Sequence, residues 1–276
     1  MSKQEVLIAD EEILGQKIAR IQHLGIERLC VVSDWDRTLT KARTESGEDT
    51  TSYQAIVHSG CLGDGYRDEM DRLFAKYRPI EMSQTVSTDK KQAAMLEWWA
   101  LAFDLMTQFG LTEEAVEDIG RRDLMRLREG AEVLLQILEG KDISMQILSA
   151  GLGDVIEAFL KARDLFTKNI NVTANMLAFD HKGVVTGFVE PVIHTLNKRV
   201  GNGFAGPNGH VILLGDTLED VKMVEDAEHD CVIRVGFLNE DVEKNCEIYL
   251  SVYDVIICYD GAMHYVVDLI EEIYKQ

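Results

Sequence analysis

Apolar positions fall into two textures along the chain. Ile8, Ile13, Leu14, Ile18 and Ile21 recur at helical spacing, so residues 5–24 are expected to form an amphipathic helix. The solid run Leu29-Cys30-Val31-Val32 predicts a buried strand that ends at Ser33-Asp34. From Tyr53 to Leu127 the spacing is helical again, with runs near Gln54–Tyr77 and Asp89–Gln108. A third run, TEEAVEDIGRRDLMRL, opens on Thr112 with Glu113 and Glu114, a good helix start. After Gly130 short strands and helices alternate. AEVLLQILEG is helical, ISMQILS a strand and GDVIEAFLKARD a helix. INVTANMLAFD and VVTGFVE are strand-like around a turn at Asp180–Gly183. HVILLGD, LEDVKMVEDA, CVIRVGFL, NEDVEKNCEIYL, YDVIICYD and AMHYVVDLIEEIYK continue as strand, helix, strand, helix, strand, helix.

This alternation predicts an α/β fold, a Rossmann-like core with a mostly parallel sheet covered by helices. The all-helical interval between the first and second strands is far longer than a normal crossover. Residues 44–128 are therefore expected to be an inserted helical cap, with 1–43 and 129–276 as the core.

The length of 276 residues and a hydrophobic fraction of 46% suffice for one large core plus such an insertion. No segment reaches the roughly 20 apolar residues needed to span a bilayer. The acidic, amphipathic start MSKQEVLIADEEILGQ is unlike a secretory signal, so a cytoplasmic location is expected. Cys30, Cys61, Cys231, Cys246 and Cys258 are scattered without a C-x-x-C pair, which points to reduced thiols. A net charge of −20 argues against nucleic acid or an anionic membrane as a partner. A small phosphorylated metabolite is compatible with it where a cation and local positive groups offset the field.

Ligands of open α/β sheets bind outside the carboxyl ends of the strands. Asp34-Trp35-Asp36-Arg37-Thr38 stands at the first such end. Asp34 and the Asp36 carbonyl suit a small hard cation, one carboxylate could attack phosphorus and the other could move a proton. Alone, the pair could equally be a helix or turn cap. Ser149-Ala150-Gly151 offers a hydroxyl and backbone amides for phosphate oxygens, though alone it is an ordinary turn. Asp216 and Asp220, in GDTLED, could complete a magnesium shell directly or through water, or form an acidic helix start. Lys198, in HTLNKR, would by itself be a surface charge. Their order at successive strand ends is what makes separate caps a poor explanation.

DWDRT, SAG, Lys198 and GDTLED resemble the four motifs of the haloacid-dehalogenase-like phosphohydrolases. Longer segments, among them GYRDEMDRLFAKYRPIE, LREGAE, ILSAGLGDVIEAFL, NVTANMLAFD and ILLGDTLEDVKM, resemble the cytosolic pyrimidine 5′-nucleotidase branch. The resemblance spans about residue 31 to residue 240. It implies a Mg²⁺-dependent phosphomonoesterase acting through an aspartyl-phosphate, with a nucleoside monophosphate as substrate. Asp34 would be the nucleophile and Asp36 the acid and base. Asp34, Asp36 through its carbonyl, Asp216 and Asp220 would hold the metal, with Asp220 assisting through water. Ser149, the Ala150 amide and Lys198 would hold the phosphoryl oxygens. Glu81 and Trp99 fall at positions that meet the base. Three departures stand out: Ala102 replaces a serine near the base, Arg37 replaces the usual methionine, and the segment after Thr40 is unlike the family. They leave open whether the base is a pyrimidine or 7-methylguanine. Another small phosphate ester, or a non-catalytic binding role, is the alternative reading.

Overall fold

The computed structural model describes residues 5–83, 85–199, 209–225 and 229–275. In chain order, β1 (Val6–Ile8) leads into α1 (Glu11–Leu24), and β2 (Leu29–Ser33) follows. Four helices come next: α2 (Ser52–Ser59), α3 (Gly63–Met82), α4 (Thr88–Gln108) and α5 (Glu113–Arg121). Then come α6 (Ala131–Gly140), β3 (Ser144–Leu152), α7 (Gly153–Lys161) and β4 (Ile170–Asn175). A small hairpin, β5 (Leu177–Phe179) with β6 (Val185–Phe188), precedes β7 (Gly209–Gly215) and β8 (His229–Leu238). The chain ends with α8 (Val242–Leu250), β9 (Val255–Cys258) and α9 (His264–Tyr274).

The main sheet has seven strands in the order β1-β9-β8-β7-β2-β3-β4. Every neighbouring pair is parallel except β1 with β9. Central parallel strands are covered on both faces, which explains why β2 and β7 are largely apolar and buried throughout. Val31 and Val32 are both 0% exposed, so opposite sides of one strand are packed. Burying such a side chain fully contributes roughly 1.5–3 kcal/mol. From β2 the chain steps outward to β3 and β4, then returns to β7 and runs the other way. That reversal leaves a crevice at the carboxyl ends of β2 and β7, where α/β sheets hold ligands.

Five local expectations need correction. The helix expected over 5–24 begins only at Glu11, because Val6–Ile8 pairs antiparallel with β9. Asp10 sets the start by accepting from the Ile13 amide at 3.0 Å. The run near Gln54–Tyr77 is two helices, since Gly60 ends α2 in the left-handed conformation, φ 70°. The helix opened by Thr112 ends at Arg121 rather than running on through Leu127. LEDVKMVEDA forms only a short 3-10 turn over Asp220–Val224, and its Asp226 and Ala227 lie outside the described residues. Ser149-Ala150-Gly151 does not follow its strand: β3 runs on to Leu152, with a register irregularity after Leu148.

Two close contacts help to seat the helices that lie between β2 and β3. A Cβ on Gly120 of α5 would lie 2.5 Å from the Ala158 carbonyl carbon, so only glycine lets α5 and α7 approach this closely. Phe103 of α4 stacks on Phe188 of β6 at 4.3 Å. Among the described residues, no helix is long and apolar enough to cross a membrane.

Candidate active site

Asp34 continues β2 by one hydrogen bond, its amide donating to the Leu214 carbonyl at 3.0 Å. The acid is thereby fixed beside the end of β7, and it is only 5% exposed. Lys198 Nζ lies 2.5 Å from Asp34 Oδ1 and 2.8 Å from Asp220 Oδ1, a buried ammonium shared by two acids. Burial pushes the Asp34 carboxyl up to about 6, while Lys198 pulls the other way. For Lys198, burial opposes the charge, but Asp220 and Asp34 together outweigh it and keep it protonated.

Asp36 faces a different neighbour. Its Oδ1 accepts from the Ser52 amide at 2.8 Å and its Oδ2 from the Ser52 hydroxyl at 3.0 Å. Burial, then the nearby Asp34, raise this carboxyl to about 7, against the two Ser52 hydrogen bonds. A carboxyl group near 7 can hold or release a proton in the neutral range, which general acid–base chemistry needs.

Asp216 and Asp220 divide their duties. Asp220 Oδ2 accepts from the Asp216 amide (3.1 Å), the Thr217 amide (2.9 Å) and the Thr217 hydroxyl (2.9 Å). Its other oxygen holds Lys198, so both are engaged in fixing the turn. Asp216 instead turns toward Arg37, whose Nε is 3.3 Å from Asp216 Oδ2. Burial, Asp34 and Asp220 push the Asp216 carboxyl well up. One oxygen from each of Asp34, Asp216 and Asp220 lies within 4.8 Å of the others. An all-oxygen, acidic donor set of this size fits Mg²⁺ rather than a softer metal.

The turn after Asp36 is clamped from below by Arg128, 1% exposed. Its Nη2 donates to the Arg37 carbonyl at 2.6 Å and its Nε to the Thr38 carbonyl at 2.9 Å. Nη1 reaches the Gly261 carbonyl at 2.8 Å and Asp260 at 2.9 Å. Burial lowers this guanidinium to about 10, which leaves it charged at neutral pH. The clamp steadies Arg37, whose φ of 67° is a strained value for a long side chain.

Ser149 is 1% exposed, and its Oγ accepts from the Gly151 amide at 2.9 Å. That contact leaves the hydroxyl hydrogen for an incoming oxygen. The neighbouring Ala150 carbonyl is held by Asn175 Nδ2 at 2.8 Å. Of the base candidates, Trp99 stacks on Tyr53 at 4.4 Å, next in sequence to the serine on Asp36. Trp98 lies alongside it at 5.4 Å, and the Trp99 Nε1 donor is buried without a partner among the described residues. Glu81 lies one turn beyond Tyr77 of α3, which stacks on Trp98 at 5.8 Å, and Arg78 binds its carboxylate at 2.5 Å. Ala102 is fully buried among core side chains.

Three contributors escaped the sequence. Ser52 looks like one more residue of a Thr-Thr-Ser helix start. Arg37 carried a signal, as a charge where the resembled family has methionine. Arg128 stood in LREGAE, where a charged residue gives no hint of complete burial.

A haloacid-dehalogenase family hydrolase of Salmonella enterica shares the fold over 88% of this chain, with a TM-score of 0.57 at 14% identity. Phosphoserine phosphatase in its apo form shares the fold over 87% of this chain, with a TM-score of 0.51 at 16% identity. Cytosolic 5′-nucleotidase IIIB bound to cytidine aligns far better, with a TM-score of 0.87 at 28% identity over 99% of this chain and 94% of that one. The profile of the family described as pyrimidine 5′-nucleotidase (UMPH-1) matches residues 37–274. The 7-methylguanosine phosphate-specific 5′-nucleotidase A of Xenopus laevis is 32% identical over 271 residues, 95% of this chain and 93% of that protein. Its Homo sapiens counterpart of that description is 29% identical, over 100% of this chain and 95% of that protein. The chain belongs to the pyrimidine 5′-nucleotidase family and is a phosphoric monoester hydrolase.

Proposed function

We propose that the chain hydrolyses nucleoside 5′-monophosphates through an aspartyl-phosphate on Asp34, with 7-methylguanosine monophosphate as the preferred substrate. The observation that carries the chemistry is the Lys198 bridge between Asp34 and Asp220. It keeps one carboxylate ionised and aimed at the crevice, while Asp36, two residues on, stays protonated to about pH 7. A carboxylate nucleophile beside a carboxylic acid is what splitting a phosphate ester in two steps requires.

In the first step an Asp34 oxygen forms a bond to phosphorus, the ester P–O bond breaks, and Asp36 gives its proton to the leaving oxygen. In the second, Asp36 takes a proton from water as the water oxygen bonds phosphorus and the Asp34–phosphorus bond opens. The Ser149 hydroxyl, the Ala150 amide and Lys198 hold the phosphoryl oxygens. Asp34, the Asp36 carbonyl and Asp216 would hold Mg²⁺, with Asp220 behind them fixing the turn and the lysine. The ion, when bound, neutralises charge on the phosphoryl group. Residues 44–128 serve as the cap that selects the nucleoside, with Trp99 and Glu81 as its base contacts.

The relatives' names favour 7-methylguanosine phosphate. An aromatic cluster of Tyr53, Trp98 and Trp99 also suits a cationic methylated base. The cytidine in the similar crystal structure favours pyrimidine monophosphates as the second reading. A phosphate-release panel of nucleotides and sugar phosphates, with and without chelator, decides between them. Release from 7-methylguanosine monophosphate in preference to cytidine monophosphate, lost with chelator, is expected. Activity confined to sugar phosphates would overturn the proposal.

A further inference from the structure

Ser52 is fully buried at the start of α2, and its environment is unusual for a helix-opening serine. Thr51 already caps the helix by accepting from the Gln54 amide at 3.2 Å. Ser52 is thus released from capping, and both its polar groups go to one acid. Its amide takes Asp36 Oδ1 at 2.8 Å, and its hydroxyl takes Asp36 Oδ2 at 3.0 Å. The hydroxyl cannot turn away, because the Leu152 amide donates to Ser52 Oγ at 3.1 Å and so directs the serine hydrogen to Asp36. Gly151 makes room for this junction. A Cβ there would lie 2.2 Å from Ser52 Oγ and 2.7 Å from Asp36 Oδ2. The end of β3, the start of α2 and the turn after β2 therefore meet on one carboxyl group.

We infer that Ser52 is the positioning residue of the acid–base group, a role that rests on the reading of Asp36 given above. A carboxyl group has about four lone-pair sites, and Ser52 takes one on each oxygen. That fixes the carboxyl plane and still leaves each oxygen a lone pair with which to carry the transferred proton. The step served is the one already balanced: Asp36 protonates the ester oxygen as the P–O bond breaks. The demand for that proton depends on the leaving group. A nucleoside 5′-alkoxide is a poor leaving group and needs it, whereas p-nitrophenolate leaves unaided.

The test compares kcat/KM, which reports events up to leaving-group departure, on cytidine or 7-methylguanosine monophosphate and on p-nitrophenyl phosphate. Ser52→Ala is expected to lose roughly 10–100-fold on the nucleotide and less than about threefold on the aryl ester. Ser52→Thr, which keeps the hydroxyl, should restore the nucleotide activity. Ser52→Cys, close in size, serves as a second variant should the alanine protein fold poorly. Equal losses on both substrates, or undiminished nucleotide turnover in Ser52→Ala and Ser52→Cys, would overturn the positioning role alone. Full activity of Asp34→Asn would instead remove the reading on which it rests, and this inference with it.

Discussion

Arg37 Nε stands 3.3 Å from Asp216 Oδ2, a fixed cation set against the acid that ends β7. The same guanidinium reaches Asp49 at 3.0 Å and Glu240 at 3.4 Å, so it is held in place from three sides. A positive charge beside the carboxylate proposed to hold the metal repels a divalent ion as well as orienting that carboxylate. Arg37→Met should therefore bind Mg²⁺ more tightly, by roughly three- to tenfold, the effect of about 1 kcal/mol of relieved repulsion. Calorimetric titration of the apo protein measures this directly. Weaker binding in the variant would show that aiming Asp216 outweighs the repulsion.

Lys198 balances two buried acids, with side-chain exposures of 4% for the lysine, 8% for Asp34 and 3% for Asp220. Breaking a buried pair from one side costs on the order of 3–5 kcal/mol, because the partner charge is left without compensation. Lys198→Met should lower the unfolding temperature by several degrees at pH 8 and reduce phosphate release at least 100-fold. Adding Asp220→Asn should recover part of the stability but none of the activity. A double variant as unstable as the single would mean that the lysine acts through packing rather than charge.

Asp36 sits at about 7 in the native protein against an ordinary 3.8. Between those values the native chain binds more protons than the unfolded one. The contribution of this group to stability is therefore full below about pH 4, falls as pH climbs toward 7, and levels off above it. Asp36→Asn removes the titration and keeps one acceptor oxygen for the Ser52 amide, while the Ser52 hydroxyl loses the carboxylate oxygen to which it donates. Without metal, its stability relative to the parent should be greater at pH 8 than near pH 4, by up to a few kcal/mol. Its turnover should fall by roughly 100-fold or more. Thermal scans at the two pH values check the first part, and equal shifts at both would refute it.

How far the sequence carried these conclusions depended on distance along the chain. β2 and β7 were legible because each is a solid apolar run ending in acids, a pattern that is local. β1 was not: Val6, Leu7 and Ile8 fit a strand or the start of the helix beyond them, and only pairing with β9 decides. Lys198 looked like a surface charge in HTLNKR. Its partner Asp34 is 164 positions away, so nothing nearby could reveal the bridge. Ser52 was hidden for the opposite reason, since Thr-Thr-Ser before a helix is so ordinary a start that its unusual hydrogen bonding leaves no trace. Glu81 shows where the boundary lies. Its place as a base contact came only from the resemblance, and in the fold its carboxylate is bound to Arg78.

The central claim is a covalent phosphoryl group on Asp34. Turnover of a nucleoside monophosphate should be stopped in acid and the digested protein examined by mass spectrometry. The account predicts one added phosphoryl group on the peptide that carries Asp34, absent from Asp34→Asn, together with loss of phosphate release in that variant. A phosphoryl group on another residue, or sustained turnover by Asp34→Asn, would contradict it.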